Sequence, residues 1–193
     1  MSRVEEVFVF ELKMINSKEI RQFVIDMFEE LCPDYFWTVP CSTSGKYHPQ
    51  YALGVGGLIR HVKSAIWWGI ELSRALEMER YHDEMVATLL LHDLIKNGKG
   101  LDSNGRPLES GVTGTHGVAL AALISDDGYD DSTMPEWKET ICGGIAAHMG
   151  IWTTNPAFRP KGPFENLIHL ADYCASRKVD ELINILEEEK SNG

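Results

Sequence analysis

No stretch of this sequence approaches the roughly 18 consecutive apolar residues of a membrane-spanning helix. The acidic N-terminus also lacks the basic-then-apolar pattern of a secretory signal. An unexported, cytoplasmic protein is the expectation. CxxC pairs are missing too: Cys32, Cys41, Cys142 and Cys174 stand singly, too sparse for a disulfide scaffold and without the spacing of a zinc site. Reduced, partly buried thiols follow. Positive charge is scarce, with 18 Lys and Arg against 29 Asp and Glu and a net charge of -11. Long-range repulsion then argues against stable binding to long duplexes or to anionic membranes. Yet Asp and Glu are themselves absent from Tyr35 to Ile70 and from Thr140 to Phe164, where Lys46, Arg60, Lys63, Arg159 and Lys161 fall. A locally basic face on an acidic chain suits a small anionic ligand. No period of 20 to 50 residues recurs, which excludes a solenoid. The glycines of "NGKG" and "SNGRP" neither follow a strand nor match a P-loop.

What is present is helical periodicity. Beyond a short strand-like start at "VFVFEL", no segment alternates at period two, and the expectation is one all-α domain over residues 1–193. Asn16 and Glu19 form a capping-box pattern ahead of Ile20, Phe23, Val24, Met27, Phe28 and Leu31, a first amphipathic helix that Pro33 stops. Residues 33–57 read as a long loop, of the kind that more often carries function than not. A second helix is expected from Leu58 to Glu79 with His61 on its apolar stripe, and then a helix buried on all sides, "HDEMVATLLLHDLIKNG", ending at Asn97-Gly98. Further helices are expected from about Thr115, from Pro135 through His148, and over "FENLIHLADYCASRK". An amphipathic tail, residues 179–193, completes the chain, and its apolar stripe would suit a homo-oligomer.

Six residues stand out against this background. His61, His92, Asp93, His116, His148 and Asp172 lie on, or at the end of, five different helical segments among mostly apolar neighbours. Imidazole and carboxylate are the donors that divalent zinc, manganese, iron or cobalt accept, and a helical bundle can project them into one interior pocket. A carboxylate such as Asp93, placed after "LLLH" in a buried helix, costs several kcal/mol unless a cation answers it. Its two oxygens can also bridge two ions, which would leave His116 and His148 to hold the second.

The order H…HD…H…H…D, with Lys96 three residues after the Asp in "HDLIK", resembles the HD-domain superfamily of metal-dependent phosphohydrolases. The resemblance covers roughly Gly56 to Lys178, leaving residues 1–34 and the tail outside the metal-binding core. It implies an all-α bundle in which His61, His92, Asp93 and Asp172 ligate a first divalent metal and His116 and His148 complete a second site. It implies that Lys96 approaches the phosphate, so that Asp93 and Lys96 are the catalytic residues. The implied reaction is hydrolysis of a nucleotide or short phosphodiester by a metal-activated water. The glycine-tyrosine-proline element of the HD-GYP branch is missing, so cyclic-dinucleotide signalling is not implied.

Lys46, Arg60, Arg159, Lys161 and Arg177 are the candidate substrate contacts, and Trp37, Tyr47, Tyr51 and Trp152 are aromatics that can stack on a base or simply pack. His169, three residues before Asp172, shares its helical face and is a candidate supporting partner. His48 is a candidate to approach a leaving group. Two other readings fit the same residues: a di-iron HD-fold oxygenase acting on a small polar substrate, and a non-catalytic regulatory module with a structural metal.

Overall fold

The computed structural model describes residues 1–42, 45–98, 114–125 and 134–178. Among these residues the secondary structure is helical, without a strand. The expected tail helix and the "KGLDSNGRP" loop lie outside the described residues. No described helix is long and apolar enough to cross a membrane.

The strand-like start is the first correction. Residues 3–14 form two short helices, α1 (Arg3–Val7) and α2 (Val9–Met14). Val4, Phe8, Leu12 and Ile15 recur every three or four residues and are all buried, whereas Phe10, which a strand alternation would pair with Phe8, is 70% exposed. The longer period prevails because one side of a helix buries all four, together with Glu11, whose carboxylate meets Lys63 Nζ at 3.2 Å. α3 (Lys18–Leu31) is capped one residue later than the sequence suggests: Ser17 Oγ accepts from Ile20 N–H, while the N–H groups of Asn16 and Ser17 donate to Asp83 at 3.0 and 2.7 Å. That bond set ties the entry of α3 to the first turn of the helix that begins at His82.

α4 (Gly57–Ala75) buries the expected stripe from Leu58 through Gly69 but stops short of Glu79, since the chain turns at Glu77 with φ 54° and leaves Leu76 half-exposed. α5 (His82–Leu91) is the centre of the bundle: Met85 through Leu91 are inaccessible, with α3, α4, α7 and α8 packed around it. Burial on every side explains why its apolar residues lack a single stripe. α6 (His116–Ser125), α7 (Glu136–Ala147) and α8 (Pro163–Ala175) follow, α6 lying on α7 and α8 on α4. Pro135 precedes the first turn of α7 instead of occupying it. Pro163 does open α8, and Glu165 reaches back to the N–H of Gly162 at 3.1 Å. Phe8, Phe28, Phe36 and Trp37 close one end of the core with ring centroids 5.1 to 6.4 Å apart.

Candidate metal centre

Each of the six donors comes from a helix or the turn that ends one. After Leu91 the chain continues in tight turns, with Leu94 N–H bonded to Leu91 O, Lys96 N–H to Asp93 O and Gly98 N–H to Ile95 O. Gly98 takes φ 85°, which favours glycine, and the Tyr35 hydroxyl bonds the backbone of both Asn97 and Gly98. His92 and Asp93 are thereby placed at the end of a fully buried helix. His92 Nδ1 lies 2.7 Å from Leu89 O, and His148 Nδ1 lies 2.7 Å from Ile145 O. A carbonyl three residues back accepts a hydrogen bond from Nδ1–H, so each ring turns Nε2 inward as an acceptor.

The inward atoms meet around Asp93. Its Oδ2 is 3.6 Å from both His61 Nε2 and His92 Nε2, and its Oδ1 is 2.8 Å from His116 Nε2 and 3.7 Å from His148 Nε2. Asp172 Oδ1 completes the first side, 3.0 Å from His61 Nε2 and 3.7 Å from His92 Nε2. The structure thus brings all six predicted ligands together. His61–His92–Asp93 and Asp93–His116–His148 each gather their donor atoms within 4.8 Å, a spacing at which a metal ion can be held. The donor chemistry fits a divalent transition metal: imidazole nitrogens crowd one another at 3.4 Å (His61 and His92) and 3.0 Å (His116 and His148) beside a buried carboxylate, the donor types such an ion accepts.

The charges of the metal-free chain follow from burial and proximity. Burial opposes a proton on His61, but Cys41 and Asp172 outweigh it and raise the imidazole to about 10. At His92 burial prevails and lowers the ring to about 4. Asp93 is held well below the carboxylate range despite its burial, chiefly by Lys96, whose Nζ is 2.5 Å from Oδ2, and by His92.

Sequence reasoning overlooked Cys41 and offered His48 only as a group that could approach a leaving group. Cys41, His48 and His61 form a third group within 4.8 Å, and Lys96 Nζ is 3.6 Å from Cys41 Sγ. Burial raises the Cys41 thiol, but His61, Lys96 and His48 reverse that and bring it down to about 6. Only the position of both residues in an acid-free loop hinted at this. His169 donates Nδ1 to His148 O at 2.8 Å, steadying the backbone of a ligand.

The basic residues separate. Arg60 is spent on the chain itself, bonding Tyr51 O at 2.5 Å and Leu53 O at 2.9 Å, so it braces the loop entering α4. Arg159 and Lys161 line a cavity of about 410 Å³ against Val118, Ala121 and Phe158, which none of the six ligands lines. Lys46 and Arg177 instead converge on Tyr47, 4.9 and 5.5 Å from its ring. Of the aromatics, Trp37 belongs to the core and Tyr51 bonds Ser64 Oγ and Ala175 O. Tyr47 and Trp152 are exposed. Compared with protein-family models, with curated proteins and with solved structures, the chain matches none.

Proposed function

We propose that this chain is a metal-dependent phosphohydrolase of the HD-domain type that cleaves a phosphoester of a nucleotide or short phosphodiester. The observation that carries the reading is the division of Asp93, one buried carboxylate with each oxygen turned to a different pair of histidines. His61, His92, Asp93 and Asp172 would hold one divalent ion, and Asp93, His116 and His148 a second. When bound, such a pair supplies a water of lowered pKa and positive charge for the phosphoryl oxygens.

The chain's own groups do the rest. Lys96 lies at the rim, its side chain 18% exposed, and its ammonium can bind a phosphoryl oxygen while staying paired with Asp93. Asp172, 17% exposed where the other ligands are sealed, marks the open edge by which an anion arrives. The apolar wall of α5 keeps bulk water from the remaining sides. His92 and His148, held by carbonyl bonds, keep their geometry through the cycle.

The test is elemental analysis of protein purified without chelator, with phosphate release assayed on nucleotides, cyclic dinucleotides and short oligonucleotides. His92→Ala and Asp93→Ala are expected to abolish metal retention and turnover while helicity persists by circular dichroism. Full metal content and activity in either variant would remove the assignment of the site. Two irons with oxygen uptake and no phosphate release would move the reading to a di-iron oxygenase, and metal without any turnover to a regulatory module.

A further inference from the structure

Beside the open edge at Asp172 the surface turns aromatic. Trp152, Tyr47 and Tyr173 are 50%, 54% and 38% exposed. Trp152 and Tyr173 are nearly parallel, 12° apart with centroids at 5.7 Å. The Arg177 guanidinium joins all three, 4.0 Å from the Tyr173 ring, 5.5 Å from Tyr47 and 5.7 Å from Trp152. Its Nε is buried without a hydrogen-bond partner among the described residues.

The wall is built from the same chain segments as the metal centre. Tyr173 follows Asp172 directly and shares its helical face with His169, four residues before it, while Arg177 lies in the turn that ends α8. Trp152 lies in the turn after His148, and Tyr47 precedes His48, whose ring is 5.9 Å from that of His61. Tyr47 and Trp152 both come from windows without Asp or Glu, so no neighbouring carboxylate in either window repels an anion.

We propose that Trp152, Tyr173 and Tyr47, joined by Arg177, form a stacking subsite for a nucleobase whose phosphate points to the edge at Asp172 and Lys96. Exposed π-faces take any base, a guanidinium adds stacking of its own, and a nucleotide is the ligand that joins a flat ring to an anion. The inference deepens the phosphohydrolase reading and rests on it for the position of the phosphate.

Calorimetry on the full chain loaded with Mn²⁺ tests it, using a nucleoside 5′-monophosphate, a dinucleotide and methyl phosphate as probes. The expected result is a preference for the nucleotide over methyl phosphate that falls about tenfold in Trp152→Ala and in Tyr173→Ala. Trp152→Phe, which keeps a π-face and the fold, should retain most of the preference. A dinucleotide that binds tighter than the mononucleotide, and loses that advantage in the alanine variants, identifies an oligonucleotide end as the ligand; equal affinities identify the free nucleotide. An unchanged preference in both alanine variants, or no nucleotide binding at all, overturns the subsite. Lost preference in a protein that hydrolyses no phosphoester keeps the subsite and removes the hydrolase reading, and hydrolysis with unchanged preference does the reverse.

Discussion

His61 carries the most consequential proton in the molecule. With its imidazole at about 10, above the ordinary histidine value, the metal-free chain holds this ring protonated at neutral pH. A metal needs the neutral ring, so ion and proton compete. Metal uptake at pH 7 is therefore expected to release at least one proton from the protein, and apparent affinity should climb as pH rises towards 10. His92, at about 4, is already neutral at pH 7 and contributes none. Titrations in buffers of different ionisation enthalpy measure the release, and pH-independent affinity would contradict the prediction. The six clustered donors were legible because each is a polar residue set among apolar ones on a helix or at its end, a pattern that a single chain displays locally. The grouping of Cys41 and His48 with His61 was not, since both reach His61 only by the path of a loop, and periodicity says nothing about where a loop closes.

Small residues on two helices govern how closely the donors approach. A Cβ on Gly117 of α6 would lie 2.5 Å from Ile145 O and 2.7 Å from His148 Cε1, so the interface of α6 with α7 is set by the absence of a side chain. Gly117→Ala is expected to push His148 off Asp93, lowering metal content, and to cost about 1–3 kcal/mol from overpacking. Gly144→Ala offers the contrast: its Cβ would meet Thr88 Cγ2 at 2.8 Å and Phe164 Cε1 at 2.9 Å, away from the donors. It should destabilise to a similar degree while metal content survives. Urea unfolding with elemental analysis of both variants separates the outcomes. Helix periods revealed α3, α4 and α5 in the sequence, with ends displaced by a few residues where a cap or a positive φ intervened. The N-terminal residues misled because "VFVF" alternates over four positions, while the spacing of Val4, Phe8, Leu12 and Ile15 emerges only over twelve.

On the scale of the whole molecule, the donors tie together five segments spread from residue 61 to residue 172. An ion bound only by the folded arrangement stabilises it through linkage, by about 2.7 kcal/mol at a hundredfold excess over Kd. For a domain of this length that is a rise in Tm on the order of 5–10 °C. Scanning calorimetry with metal and with chelator is the measurement, and identical Tm values would mean that the donors hold no ion. The charge imbalance adds direction: acidic residues crowd the ends of the chain, and the two acid-free windows contribute Tyr47 and Trp152 beside the ligands.

Asp93 has one more effect. Because a single negative charge serves both sets of histidines, the first cation to arrive withdraws part of that charge from the second. Two ions would then load stepwise, a half-loaded chain being a distinct state with its own population, and the supply of metal in the surroundings would set how many molecules are complete.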